Sequence, residues 1–140
     1  MKKLCRSFSV LVLVVLATGC ASTPNPLVGT WEMVSNDGRW LDTAEDPDLT
    51  RTRNVKVLNE THFAFGHQHP DGHIDAGGGR YTYADSTYTE FIEYHFAPRL
   101  VGMAIPFDCR LEDDLWYHSA DAVVDGIRIE IHEIWRRVEP

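Results

Sequence analysis

From residue 27 onward, short segments rich in Val, Ile, Thr, Tyr, Phe and Trp alternate with turn residues, and no long stretch keeps an apolar period of 3.6 residues. Alternation with a period of two is typical of β-strands that bury one face. Most connections are short and carry Asn, Asp or Gly, which favours hairpins in chain order. The pattern predicts an all-β fold, a small antiparallel up-and-down β-barrel. Its eight strands are expected near residues 28–35, 53–58, 62–67, 79–84, 87–96, 105–111, 114–119 and 127–138.

The other apolar pattern is an almost uninterrupted run from Phe8 to Ala17, preceded by three basic residues within the first six positions. A helix needs about 20 residues to cross ~30 Å of hydrocarbon, so a run of about ten predicts a cleaved export signal instead of a retained span. The run ends in Ala-Thr-Gly-Cys at 17–20, which resembles the lipobox of bacterial lipoproteins, with Ala17 in place of the commoner Leu.

This resemblance implies a signal peptide at 1–19, a lipidated Cys20 with its linker at 20–26, and a domain at 27–140. Several acyl chains hold a protein stably on a membrane, whereas one chain does not. The absence of Asp after the cysteine, where Ala21 and Ser22 stand, resembles lipoproteins that pass to the outer membrane. We therefore expect a lipid-anchored protein of the cell envelope that faces the periplasm. The alternative is a secreted protein with a chance cysteine after its cleavage site.

Charge limits the partners that this domain can have. The chain has 13 basic and 21 acidic residues, and three of the basic ones precede residue 20, so the mature part carries a net charge of −11. This balance argues against nucleic acid and against anionic lipid surfaces, since both require basic patches. Of the three cysteines, Cys109 alone is left without a role in export or lipidation, and its strand-like segment predicts a buried small apolar residue.

Several segments of the domain resemble a known family. Leu-Val-Gly-Thr-Trp-Glu at 27–32 looks like the Gly-x-Trp opening of lipocalin-like domains, and the segments at 78–83, 86–90 and 133–138 strengthen the likeness. Together they resemble an uncharacterised family of bacterial lipocalin-like proteins. The resemblance implies a calycin-type barrel with a cavity and no known reaction. It also implies that Trp31 closes the barrel floor beneath a stacked arginine, either Arg136 or Arg137.

Three histidines and an aspartate fall within seven residues, His67-Gln-His69-Pro-Asp-Gly-His73. Imidazole is a common ligand of Zn, Cu and Ni, and residues two apart on a strand share a face. His67, His69 and His73 are therefore candidate ligands of zinc or another divalent transition metal. The fixed spacings of strong zinc signatures are missing, so a solvated polar hairpin stays the alternative.

The strand around Glu90 offers candidate ligand contacts, because Tyr88, Glu90, Ile92 and Tyr94 share one face. Phe91, Glu93 and His95 share the other face, and both faces mix apolar with ionisable groups, so alternation alone does not choose the interior. The family resemblance at 86–90 favours an inward Glu90, and a buried carboxylate needs a partner. Arg137 on the last strand is the expected partner. The predicted ligand-binding set consists of Tyr88, Glu90, Trp116, His118, Trp135 and Arg137.

The first functional hypothesis is a membrane-tethered module whose barrel binds a small, partly apolar ligand. The second is a small cavity enzyme that uses Glu90 with His67, His95 or His118, assisted by a metal at His67 and His69. The third is a metal-sequestering or scaffolding lipoprotein. The long acidic stretch at 37–52 is expected to form a surface excursion or a lid.

Overall fold

The computed structural model describes residues 24–36 and 53–139. The predicted signal peptide, the predicted lipidation site Cys20, the first part of the predicted linker and the predicted excursion at 37–52 lie outside the described residues. Within the described ranges, no helix is both long enough and apolar enough to span a membrane.

Eight antiparallel strands form a closed barrel in which each strand pairs with the next and the last pairs with the first. This confirms the predicted all-β, up-and-down fold class. One short 3₁₀ helix (Pro98–Leu100) lies between the fifth and sixth strands. The strands are β1 (Gly29–Asn36), β2 (Arg53–Leu58), β3 (His62–Gln68), β4 (Ile74–Ala84), β5 (Thr87–His95), β6 (Ala104–Glu112), β7 (Leu115–Val124) and β8 (Ile127–Arg137).

β4 begins five residues before its predicted start, across a run of three glycines that carries no side-chain signal for a strand. A β-bulge interrupts the β4–β5 register between Gly78 and Gly79. A Cβ atom at Gly79 would lie 2.0 Å from the carbonyl oxygen of Phe91, so only glycine fits this approach. The bulge therefore depends on glycines. Because glycines have no side chain to alternate, the same residues explain why the sequence did not predict the first part of β4.

The hairpins place the strand ends at two opposite ends of the barrel. The closed end carries the turns at 59–61, 85–86 and 113–114 together with residues 24–28 and 138–139. The open end carries the turns at 69–73, 96–103 and 125–126. In the last turn Asp125 and Gly126 both have positive φ, 52° and 81°, as a two-residue hairpin turn requires.

Trp31 is fully buried at the closed end, and the guanidinium carbon of Arg137 lies 4.1 Å from the centre of its ring. Arg137 also donates hydrogen bonds to the carbonyl oxygens of Val28 (3.0 Å) and Pro26 (2.6 Å). The stacked arginine implied by the family resemblance is therefore Arg137, and not Arg136.

Aromatic rings fill the interior above this stack. Trp116 lies 5.4 Å from Trp31 and 5.1 Å from Tyr88 between ring centroids, both in edge-to-face arrangements. Such pairs stabilise a core beyond the effect of area burial, by about 0.5–1.5 kcal/mol each. All three rings have no exposed surface, so the closed end is sealed.

Candidate functional site

Two buried residues of opposite charge meet inside the barrel. Lys56 on β2 places its Nζ 3.0 Å from Oε1 of Glu90 on β5, and both side chains are less than a tenth exposed. The hydroxyl of Tyr88 donates a second hydrogen bond, 3.0 Å long, to the same oxygen. Burial and the neighbouring Glu90 carboxylate raise the pKa of Tyr88 well above its usual value, so the hydroxyl keeps its proton and donates.

The predicted pairing of Glu90 with Arg137 is wrong. Arg137 lies at the closed end on Trp31, and Lys56 takes its place beside Glu90. The sequence analysis assigned no buried face to β2 and so did not identify Lys56. In the structure Asn54, Lys56 and Leu58 are the buried positions, and the alternation of β2 with Leu58 inward is the signal that would have identified Lys56.

A second carboxylate, Glu133 on β8, shares the same cation. Its Oε2 lies 4.0 Å from Nζ of Lys56 and accepts a 2.9 Å hydrogen bond from the indole nitrogen of Trp135. Burial raises the pKa of Glu133, and the nearby Lys56 ammonium opposes that rise. Glu133 was also absent from the predicted set, although it alternates with Trp135 along the same face of β8.

Four aromatic rings surround the ammonium of Lys56. Its Nζ lies 4.8 Å from the ring centre of Trp135 and 5.4 Å from that of Trp116. Phe63 and Tyr88 complete the enclosure at 5.9 Å. Ring faces attract cations, so this cage stabilises a charge that has left water.

The structure brings five of the six predicted ligand-binding residues together in the interior, namely Tyr88, Glu90, Trp116, His118 and Trp135. Their inward direction agrees with the predicted face of β5. Tyr94, assigned to that face by parity, is instead 51% exposed because the bulge shifts the register after Ile92. Whether these residues contact a ligand stays a prediction.

His118 is 2% exposed and packs against Phe107, with ring centroids 3.8 Å apart. Neither of its ring nitrogens has a hydrogen-bond partner among the described residues. Burial, with a smaller effect from the Lys56 charge, lowers the pKa of His118 well below its usual value, so the imidazole is neutral at pH 7. Asn54 Oδ1 is a second buried polar atom without a partner in the described part of the chain.

The second hypothesis required Glu90 to work with a histidine. In the structure Glu90 hydrogen-bonds to Lys56 and Tyr88, neither of which is a histidine. An acid–base role for Glu90 with His67, His95 or His118 stays a prediction.

The predicted histidine cluster lies at the open end, where the β3–β4 hairpin gathers its members around Asp75. The Nε2 atoms of His69 and His73 each lie 2.9 Å from a different oxygen of the Asp75 carboxylate. The ring of His67 stacks on His69 at 4.4 Å. Within residues 24–36 and 53–139, no three His, Cys, Asp or Glu side chains have an arrangement that could hold a metal ion. Hydrogen bonds to Asp75, which the sequence analysis did not assign, thus join His69 and His73, whereas His67 contacts the cluster by stacking on His69.

The carboxylate of Asp75 is stabilised by its two imidazole partners. Their hydrogen bonds and charges lower its pKa, although burial alone would raise it. His67 has a lowered pKa because it is partly buried and lies beside His69.

Near the open end, several inward-facing positions are only partly buried. Ala120 and Ala122 lie opposite the buried Ile131 and Ile129 on β8, yet both alanines keep some exposed surface. Phe65 on β3 is also partly exposed. Small, aliphatic and aromatic side chains therefore line this end, and they are less completely buried than those at the closed end.

A separate groove of about 470 Å³ crosses the outer face of β6, β7 and β8. Its outward-facing side chains include Asp108, Ser119 and His132, which are neighbours across the three strands. Arg110 lies 3.8 Å above the ring of Tyr117 beside them. The groove lining also includes His118 and Glu133, whose side chains lie in the interior beside the Lys56 cage.

Cys109 is a buried small side chain, as its strand position predicted. Burial raises the pKa of its thiol to about 11. The nucleophilic thiolate is therefore scarce at neutral pH, which makes this cysteine unreactive.

The sequence was compared with known families and proteins. A family model described as a domain of unknown function, DUF4488, matches residues 26–140. No curated protein matches the chain. The match spans the whole barrel, including the Lys56 cage and the histidine hairpin, and the chain therefore belongs to the DUF4488 family.

Proposed function

We propose that this protein is a membrane-tethered lipoprotein of the bacterial cell envelope whose lipocalin-like barrel binds a small, partly apolar molecule. The observation that carries the proposal is a barrel interior with one sealed end and one end whose inward-facing side chains are only partly buried. Trp31 and Arg137 close the first end, and the partly exposed Ala120 and Ala122 lie near the second.

The composition of the interior supports a ligand of mixed polarity. Ile92, Ile105 and Ile129 supply a buried apolar wall. The Lys56–Glu90 pair and Glu133 add a few fixed polar groups below it. Binding sites for small molecules are typically apolar with a small number of placed polar groups that fix the orientation of the ligand.

Unpartnered buried atoms provide a second line of support. His118 and Asn54 each keep a buried polar atom without a partner in the described residues. A buried polar group without a hydrogen bond costs about 1–3 kcal/mol, so such positions favour a bound water or ligand group.

The lipobox resemblance in the N-terminal sequence supports the proposed tether. The position of residues 24–28 on the barrel indicates which end would be nearer the membrane. Residues 24–28 lie at the closed end, opposite the open end. Since the linker from Cys20 to Pro26 spans at most ~20–25 Å, the closed end stays near the bilayer. The open end is then the end of the barrel farther from the anchored N-terminus.

Fluorescence titration of the purified protein with Nile red, an uncharged apolar dye, tests the binding function. We expect saturable dye binding with energy transfer from the interior tryptophans. Ala120→Leu fills the interior and should weaken binding at least tenfold. Val123→Leu, on the exposed face of the same strand, should leave binding unchanged.

Absence of saturable binding would contradict the proposal. An Ala120→Leu variant that binds as tightly as the unchanged protein would place the dye elsewhere on the surface.

A further inference from the structure

The charges inside the barrel are unequally balanced. Lys56 is the one buried lysine or arginine within the described ranges, and it faces two carboxylates. Glu90 accepts a 3.0 Å hydrogen bond from the ammonium of Lys56 and another from the hydroxyl of Tyr88. Glu133 lies 4.0 Å from the same ammonium and accepts from a neutral indole N–H. Glu133 is therefore the less compensated carboxylate.

The exposed fraction of the side chain also differs among the three charged residues. The side chain of Lys56 is 5% exposed, that of Glu90 is 8% exposed and that of Glu133 is 13% exposed. Four rings enclose the ammonium of Lys56, which keeps it from a group entering the barrel. Of the three charged side chains, Glu133 therefore keeps the largest exposed fraction and the fewest partners of opposite charge at short distance.

We infer that the barrel selects ligands with a cationic or amine head group, which Glu133 binds while the apolar part of the ligand lies along the isoleucine wall. This inference rests on the proposed binding function. A second cation beside Glu133 would balance the two carboxylates, whereas an anionic head group would add a third negative charge to a low-dielectric interior.

The groups around Glu133 suit an amine in two further ways. The ring of Trp135 hydrogen-bonds to Glu133 through its edge, and its face already attracts the ammonium of Lys56. An indole face next to a carboxylate is a favourable environment for an organic cation. His118, neutral because of its burial, adds no positive charge that would oppose the ligand.

Matched amphiphiles test the inference. Alkylamines, primary alcohols and carboxylates with hexyl and octyl chains differ in their head groups alone, and each is titrated into the purified protein while tryptophan fluorescence is recorded at pH 7.5. We expect the amine to bind at least tenfold more tightly than the carboxylate of equal chain length. In Glu133→Gln this preference should disappear while binding of the alcohol persists.

A carboxylate or alcohol that binds as tightly as the matching amine overturns the inference and leaves the proposed binding function intact. Failure of all three head groups to bind at either chain length overturns both. An unchanged amine preference in Glu133→Gln also overturns the inference. If that variant does not fold, the comparison of head groups in the unchanged protein still decides the question.

Discussion

Nζ of Lys56 lies 3.0 Å from Oε1 of Glu90 in the barrel interior, although 34 residues separate them in the chain. Burying two charges costs several kcal/mol per ion, and their attraction offsets this cost only when the geometry is good and the remaining sites are satisfied. Tyr88 satisfies one such site, and the aromatic cage surrounds the cation. The pair therefore makes the stability of the core depend on both partners.

Replacing Lys56 with methionine should destabilise the protein by about 3 kcal/mol, because removing one partner of a buried pair leaves the other charge uncompensated. Urea unfolding followed by tryptophan fluorescence measures the change. Adding Glu90→Gln to Lys56→Met should recover part of the loss, since the unpaired carboxylate is then gone. A single variant as stable as the unchanged protein would show that the pair has no such role.

Arg137→Ala should lower the free energy of unfolding by about 2 kcal/mol, since a desolvated cation–π contact is worth up to ~2 kcal/mol and hydrogen bonds from a charged donor add to it. Arg136→Ala is the matched control. Arg136 is exposed, so its replacement should change stability by less than about 0.5 kcal/mol. Equal effects in the two variants, measured by urea unfolding, would contradict the assignment of the stack to Arg137.

Gly79→Ala should destabilise the barrel by about 3 kcal/mol or prevent folding, because the new Cβ would lie 2.0 Å from the Phe91 carbonyl oxygen. Gly66→Ala on the neighbouring strand β3 is the control, since no atom lies within 4 Å of its added Cβ. Thermal unfolding of both variants checks this. The prediction fails if the two substitutions have similar effects.

His118 should make stability depend on pH below neutrality. Burial lowers the pKa of His118 in the folded state, so below about pH 6.5 the unfolded chain takes up a proton that the folded protein does not. Stability should then fall with decreasing pH by up to about 1.4 kcal/mol per unit for this group. In His118→Leu the loss between pH 6.5 and 5 should be smaller, whereas replacing the exposed His62 should not alter it. Urea unfolding across this range measures the slopes.

Cys20→Ser should abolish attachment to the membrane, because a serine hydroxyl does not replace the thiol that the lipobox resemblance identifies as the lipidation site. The fraction of protein that sediments with outer membranes, and its incorporation of labelled palmitate, measure the effect. Cys109→Ala should leave both unchanged, since Cys109 is buried in the barrel. Palmitate in the Cys20→Ser protein would argue against the proposed anchor.

Local patterns in the sequence were sufficient for the fold class. Alternating residues and short turns are properties of neighbours in the chain, and a one-residue slip would turn every buried side chain of a strand outward. Both faces of β5 mix apolar with ionisable residues, so alternation did not choose between them, and the prediction of an inward Glu90 came from the family resemblance. The start of β4 was not predictable, because glycines give no alternation and the contact that requires Gly79 comes from the carbonyl of Phe91 on another strand.

The sequence by itself determined an all-β chain of eight strands in hairpin order, but it left open which face of the Glu90 strand is buried. Only the tertiary structure decided which charge meets which. Arg137 and Lys56 were both available to Glu90, and closure of the barrel stacks the first on Trp31 and brings the second to Glu90. The physical reason is that an ion pair across a barrel depends on the registers of several strands at once, whereas alternation along one strand depends on that strand alone.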